Sequence, residues 1–102
     1  MKSIMGSRKG ECYLCRLLLN DGIPTNYDVY TEEHHAIMGA NRRLSEKYGL
    51  KVYLCPEHHR TGKDAVHTNY EICRFLQMKA QIMFQATYPD LDFREIFGKK
   101  YL

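Results

Sequence analysis

The stretch Leu54-Cys55-Pro56-Glu57-His58-His59 places one thiol and two adjacent imidazoles within five residues. Upstream lie the turn Cys12-Tyr13-Leu14-Cys15 and the pair His34-His35, and downstream lies His67. These segments contain all five histidines of the chain and three of its four cysteines. Thiolate and neutral imidazole are the ligands that zinc and similar ions prefer. The sequence therefore predicts a metal protein with two neighbouring centres.

Length and composition favour one small intracellular domain. The chain has 102 residues, of which 44% are hydrophobic and 26% charged, as in ordinary globular domains. No run approaches the roughly 20 apolar residues of a membrane span, and residues 1–10 are predicted to be a flexible tail without a signal-peptide core. We therefore expect a cytoplasmic protein with no membrane partner, where a Cys-x-x-Cys pair more often binds metal than forms a disulfide. The formal net charge of +3 is compatible with nucleic-acid binding.

Two strands and a short helix are predicted around the first histidine pair. Tyr27–Thr31 is rich in strand formers, and we expect a strand whose end carries His34 and His35. Leu50–Leu54 is predicted to be the second strand, which runs directly into the cysteine-histidine stretch. Between them, Asn41–Tyr48 is predicted to form a short helix with Asn41 as its N-cap.

A long helix is predicted over 68–87, so that His67 lies at its start and Pro89 stops it. The predicted core face consists of residues that share one arc at helical periodicity, namely Ile72, Phe75, Leu76, Ile82, Met83 and Ala86. A second face is left for the C-terminal segment or another subunit to cover, and it carries Tyr70, Cys73 and Phe84. Residues 99–102 are predicted to be a tail.

Two ligand pairs with two-residue spacers predict a structural zinc site. Cys-x-x-Cys and Cys-x-x-His are pairs whose members can converge on one ion. The predicted ligands are Cys12, Cys15, Cys55 and His58. One alternative uses Cys73 in place of His58. Another has no metal: Cys12 and Cys15 are then free or redox-active, and Cys55 is a small packing residue.

Four histidines remain if His58 binds the zinc, and they predict a second, catalytic centre. Adjacent residues at a strand end point to opposite sides, so one of His34 and His35 can bind an ion while the other faces a substrate. His59 and His67 supply further nitrogen ligands. Three protein ligands with an open position are typical of catalytic rather than structural sites. The spare imidazole suits a general base because histidine ordinarily titrates near neutral pH.

The order of these motifs resembles that of the HNH (ββα-metal) endonucleases. The order is Cys-x-x-Cys, His-His, Leu-Cys-x-x-His-His and then a histidine before a helix, and it extends from Cys12 to His67, more than half of the chain. The likeness is greatest to small phage- and prophage-type members with an extra zinc knuckle. It implies a single α+β domain over 1–102. Its ββα-metal motif, a β-hairpin plus a helix, would be stapled by a structural zinc and followed by a long C-terminal helix.

The resemblance also implies a role for each site residue. His34, His59 and His67 would hold a catalytic divalent ion such as Mg²⁺, Mn²⁺ or Zn²⁺. His35 would be the general base that activates water, and the four knuckle residues would hold Zn²⁺. The implied function is metal-dependent hydrolysis of DNA phosphodiester bonds, in which the ion stabilises the leaving oxygen. Candidate phosphate contacts near the motif are Arg42, Arg43 and Arg60.

The chain departs from the family pattern at two points. The central Asn that orients the base in the family would fall near Gly49 or Leu50, and Asn41 lies earlier in the chain. Seven residues separate His59 from His67, where the family has about one helical turn, so we predict an inserted loop before the helix. Two other function classes stay open. One is a non-catalytic zinc-binding DNA- or protein-interaction module, and the other is a small hydrolase with a non-nucleic substrate.

Overall fold

The computed structural model of the protein describes residues 1–25 and 27–102. In chain order the elements are α1 (Tyr13–Leu19), β1 (Glu32–His35), α2 (Arg42–Lys47), β2 (Lys51–Leu54), α3 (Tyr70–Thr87) and α4 (Phe93–Phe97). A 3₁₀ turn over Gly39–Asn41 precedes α2, and a π-helical turn over Glu57–Thr61 follows β2. The predicted small α+β domain is thus confirmed. No helix of the described ranges has the length and apolar character needed to cross a membrane.

The sheet consists of β1 and β2, which pair antiparallel with His34 opposite Val52 and His35 opposite Lys51. The prediction of a strand over Tyr27–Thr31 is wrong, because β1 begins only at Glu32 and contains the histidine pair itself. The backbone explains the shift, since the Val29 N–H donates to the Gly10 carbonyl at 2.8 Å instead of joining β2. The second strand is confirmed and begins one residue later than predicted.

The pleat of β1 sends alternate side chains to opposite faces of the sheet. Glu32 and His34 share one face, and Glu33 and His35 share the other. Lys51 is the partner of His35 across the sheet, so their side chains lie next to each other. The two histidines therefore enter different surroundings.

The predicted helix after the histidine pair is confirmed as α2, over Arg42–Lys47. Asn41 precedes it, but its side chain does not cap the helix. Instead, the Asn41 amide donates to the Phe97 carbonyl at 2.8 Å. Gly49 ends the helical segment with a φ of +74°, a conformation that favours glycine. A side chain there would also collide with the backbone of Lys2.

The N-terminal segment packs against the sheet, so the prediction of a flexible tail over residues 1–10 is wrong. Met5 belongs to the core and is 4% exposed. The Ser7 hydroxyl accepts a hydrogen bond from the Tyr53 N–H of β2 at 2.8 Å. A buried apolar side chain and hydrogen bonds to strand backbone order a segment that composition alone assigns to a tail.

The long helix begins two residues later than predicted, at Tyr70. Asn69 sets this start, because its side-chain oxygen accepts from the N–H groups of Glu71 and Ile72. His67 consequently lies in the turn before α3 rather than on the helix. The helix ends at Thr87, before Pro89, as predicted.

The buried face of α3 differs in part from the predicted one. Leu76, Ala80 and Phe84 are fully buried, whereas Ile82 is 46% exposed and Ala86 is exposed. Only Leu76 of the predicted stripe is fully buried, and three others pack partly against the core: Ile72, Phe75 and Met83.

The C-terminal segment explains this difference. Phe93 and Phe97 of α4 lie against Phe84, with ring centroids 5.4 and 5.8 Å away. Tyr101 is 5% exposed, and its N–H donates to the Gln81 side-chain oxygen at 2.7 Å. Residues 99–102 are therefore not a free tail, and this segment covers one side of the long helix.

Candidate metal centres and the adjoining cleft

The first candidate centre joins three elements through four side chains. Cys12 and Cys15 lie at the start of α1, Cys55 follows β2, and His58 lies on the π-helical turn. Their ligand atoms all lie within 4.8 Å of one another. The four predicted ligands thus lie together. Cys73, the ligand of the alternative prediction, belongs to α3 and lies outside this cluster.

The spacing of these atoms fits a tetrahedral zinc ion. Zinc–sulfur bonds of about 2.3 Å and zinc–nitrogen bonds of about 2.0 Å require S···S edges of about 3.8 Å and S···N edges of about 3.5 Å. The Cys15 and Cys55 sulfurs are 3.8 Å apart. His58 Nδ1 lies 3.6, 3.3 and 3.4 Å from the sulfurs of Cys12, Cys15 and Cys55. The cluster could therefore hold zinc with little rearrangement.

Two thiols of this cluster, those of Cys12 and Cys15, favour the protonated form when no cation is bound. Burial raises the pKa of Cys12, and burial together with the neighbouring thiols raises the pKa of Cys15. A bound cation reverses this preference because a coordinated thiol is deprotonated. The Cys15 N–H also donates to the Cys12 sulfur at 3.4 Å, which orients that ligand from the first turn of α1.

The second candidate centre consists of His34, His59 and His67, whose ligand nitrogens lie within 4.8 Å of one another. His59 and His67 face each other directly, with their Nε2 atoms 3.0 Å apart. The His34 ring lies across both, with centroid distances of 5.4 Å to His59 and 5.1 Å to His67. The three histidines predicted to bind the catalytic ion thus form one cluster.

His34 has the feature of this cluster that best suits an ion-binding role. Its Nε2 atom is buried and has no hydrogen-bond partner among the described residues. An unpaired buried polar atom costs about 1–3 kcal/mol, and a metal bond removes that cost. Burial, followed by the charges of His67 and His59, lowers the pKa of His34 to about 3. The ring is therefore neutral at physiological pH, which is the form that binds metal.

Glu32 contacts the same centre through the His59 ring nitrogen that faces away from the other two histidines. The His59 Nδ1–H donates to the Glu32 carboxylate at 2.7 Å, and this hydrogen bond lowers the pKa of Glu32. The proton on Nδ1 leaves the His59 Nε2 lone pair facing the cluster. Metal-binding histidines commonly have such a carboxylate partner, which fixes the tautomer and strengthens the ligand.

The loop between His59 and His67 folds back and closes the seven-residue gap. The Val66 N–H donates to the His58 carbonyl at 2.8 Å, and the His67 N–H lies 3.3 Å from the His59 carbonyl. These bonds place His67 beside the π-helical turn before α3 begins. The predicted loop before the long helix is present, and it brings the two histidines together without a shared helix face.

His35 lies on the other face of β1, next to acidic groups. Its Nε2 atom is 2.8 Å from a carboxylate oxygen of Glu46, which α2 supplies. Lys51 contacts the same carboxylate at 3.1 Å and also contacts Glu33 at 3.2 Å. The hydrogen bond from His35, with the Lys51 ammonium, lowers the pKa of Glu46 to about 2. Asn41, the candidate substitute for the family's orienting Asn, points to Phe97 instead.

Both histidines of β1 border one cleft of about 270 Å³. Of the three candidate phosphate contacts, Arg42 and Arg60 line this cleft, and Arg43 is not one of the lining residues. The cleft is formed by residues of β1, α2 and the turns around the second centre: Glu33, His34, His35, Met38, Arg42, His59, Arg60 and His67. It therefore combines a metal-binding cluster, a further imidazole and two guanidinium groups.

Sequence reasoning missed three polar residues of the site, namely Glu32, Glu46 and Lys51. Glu32 lies two residues before His34 and so shares its face of the strand, which offered a weak signal. Glu46 lies 11 residues from His35, and no spacing rule links them. Comparison with protein-family models, curated proteins and solved structures gave no match for the chain.

Proposed function

We infer that the protein is a metal-dependent endonuclease that hydrolyses DNA phosphodiester bonds. The observation that carries this inference is the convergence of His34, His59 and His67, with an unpaired buried nitrogen on His34, at a cleft that also holds His35. The cluster has three protein nitrogens, as expected of a catalytic site with an open coordination position. The resemblance to HNH endonucleases assigns the same roles to these residues.

The side chains at the cleft suit phosphodiester hydrolysis. His35 would take a proton from a water molecule as its oxygen forms a bond to phosphorus, and the bond from phosphorus to the leaving oxygen breaks. Arg42 and Arg60 would contact the anionic phosphate at the cleft wall. A bound divalent ion would supply the positive charge that polarises the phosphate and stabilises the leaving oxygen. Glu32 would hold His59 in the ligand tautomer.

The Cys12–His58 centre has a different task in this proposal. All four of its positions are occupied by protein ligands, as in structural zinc sites. It would join α1 to the end of β2 and thereby fix His59, the next residue after a zinc ligand. The structural centre would position the reactive one through a single peptide bond.

Cleavage of supercoiled plasmid tests the proposal directly. We expect the wild-type protein to nick or linearise plasmid with at least one of Mg²⁺, Mn²⁺ and Zn²⁺. The His34→Gln variant should retain the structural zinc and lose cleavage, because it removes a ligand of the second centre alone. Gel electrophoresis with metal analysis of the same samples measures both.

Intact plasmid and intact single-stranded DNA with all three ions would contradict the endonuclease assignment. The non-catalytic zinc-binding module would then be the better description. Binding of plasmid without cleavage would support that module, and equal cleavage by His34→Gln would indicate a contaminating nuclease.

A further inference from the structure

Acidic side chains surround one ring nitrogen of His35, Nε2. The side chain is 6% exposed, and its Nε2 atom lies 2.8 Å from the Glu46 carboxylate. A second carboxylate, on Glu33, lies 3.7 Å from the same nitrogen, which is too far for a good hydrogen bond. Of these two acidic neighbours, Glu46 alone is at hydrogen-bonding distance.

The cluster of Glu33, His35 and Glu46 has metal-like spacing but already contains a cation. Lys51 is buried and places its ammonium 3.2 Å from Glu33 and 3.1 Å from Glu46. An ammonium at this position supplies the positive charge and hydrogen-bond donors that a metal would otherwise provide. The cluster is therefore a hydrogen-bonded network rather than a third metal site.

The Glu46 contact determines the tautomer of His35. An ionised carboxylate only accepts hydrogen bonds, so the His35 Nε2 atom must carry the proton. In the neutral ring, Nδ1 is then the unprotonated nitrogen and the proton acceptor. A charge-assisted hydrogen bond of this kind also restricts rotation of the ring.

Glu46 is itself held in place by two amino groups, that of Lys51 and that of Met1, whose nitrogen lies 2.9 Å from Glu46 Oε2. Lys51 contacts both of its carboxylate oxygens, at 3.1 and 3.3 Å, from the strand position opposite His35. The carboxylate thus bridges α2 to both strands of the sheet. Its orientation follows from the fold rather than from a flexible surface contact.

We propose that Glu46 is the positioning residue for the general base, holding the His35 ring by its Nε2–H so that Nδ1 accepts the proton of the attacking water. This role rests on the proposed endonuclease function. Lys51 assists by fixing the Glu46 carboxylate. Glu33, which shares Lys51 but does not hydrogen-bond His35, has no such role.

This difference provides a matched pair of variants, Glu46→Gln and Glu33→Gln. Each removes one negative charge and one partner of Lys51, and only the first weakens the bond to His35. General-base catalysis contributes about 10²–10⁴-fold to a rate, so partial loss of positioning should lower kcat about tenfold or more. We expect Glu46→Gln to do so with KM changed less than about twofold. Glu33 lines the cleft, so Glu33→Gln should instead lower KM for the anionic duplex, with kcat changed far less than in Glu46→Gln. A dye-labelled duplex oligonucleotide with Mn²⁺ is the probe.

A second readout is independent of cleavage. In the zinc-loaded, ¹⁵N-labelled protein, the His35 Nε2–H should give a downfield, slowly exchanging imidazole proton signal, assigned by its absence in His35→Ala. Glu33→Gln should keep this signal, and Glu46→Gln should lose it or shift it upfield. A merely structural role of Glu46 would not move this signal.

The two readouts separate failure of the positioning role from failure of the proposed function. Unchanged kcat and an unchanged His35 signal in Glu46→Gln would overturn the positioning role. Equal loss of kcat in both variants would also overturn it, because the cause would then be the removed charge. If the wild type cleaves nothing but Glu46→Gln alone loses the signal, the endonuclease assignment fails and the hydrogen bond stands.

Discussion

Replacement of Cys12 by alanine is expected to release the structural zinc and unfold the domain at room temperature. Structural zinc contributes apparent free energies of about 10–16 kcal/mol in small domains, whereas a whole domain is stable by about 5–15 kcal/mol. Cys12 is 3% exposed and ties the start of α1 to the end of β2 through Cys55 and His58. Its loss leaves three ligands and opens the link between these elements.

Cys73→Ala is the matched control for this prediction. Cys73 is the fourth cysteine of the chain, is half-buried on α3, and lies outside the zinc cluster. The Cys73→Ala variant should keep the structural zinc and melt within a few degrees of the wild type. Circular dichroism melts and zinc content by mass spectrometry measure both. A Cys12→Ala variant that retained one tightly held zinc and melted like Cys73→Ala would refute the structural role.

The His35→Ala variant is expected to lose DNA cleavage by about 10²–10⁴-fold, the usual contribution of a general base. The fold and both metal ions should be retained, because His35 lies on the opposite face of β1 from His34 and is not a ligand of either centre. Initial rates on a labelled duplex oligonucleotide, with metal content and melting temperature of the same preparation, provide the measurement.

His34→Gln gives the informative contrast, since the two residues are neighbours in β1. It should lose cleavage together with the second ion, whereas His35→Ala should lose cleavage alone. Cleavage by His35→Ala at the wild-type rate would show that another group accepts the proton. Loss of the second ion from His35→Ala would show that the roles of His34 and His35 are wrongly divided.

Local spacing predicted the first ligand cluster, whereas the second was implied by the remaining histidines and by the resemblance to HNH endonucleases. Cys12 with Cys15, and Cys55 with His58, are pairs separated by two residues, so each pair converges wherever the chain folds. The placement of the His34 and His35 side chains on opposite faces of β1 also followed from local geometry, because successive strand residues face opposite sides. The loop that brings His67 to His59 was predicted as an insertion. Its fold depends on backbone hydrogen bonds that no sequence pattern predicts.

Contacts between segments that are distant in the chain could not be predicted from the sequence. Phe84 is buried because α4 returns to cover it, so periodicity within α3 gave only part of the core face. Glu46 and Lys51 meet His35 only through the strand register and the placement of α2. Met5 and Tyr101 lie in terminal segments of mixed composition, and their burial follows from the grooves that the rest of the fold provides.

The structure sharpens the account of the Leu54–His59 stretch. Cys55 and His58 face the N-terminal knuckle, and His59 faces His34 and His67. One short segment, a strand end and a π-helical turn, thus contributes ligands to two separate clusters. We propose that the cysteine cluster holds zinc and that the histidine cluster holds a catalytic divalent ion.

Anomalous diffraction from crystals grown with zinc and then soaked in Mn²⁺ would locate each ion separately. We predict a zinc-edge peak surrounded by Cys12, Cys15, Cys55 and His58. A second peak, at the manganese edge, should lie among His34, His59 and His67. A single zinc peak at the cysteine cluster, with no Mn²⁺ at the three histidines, would contradict the two-centre account.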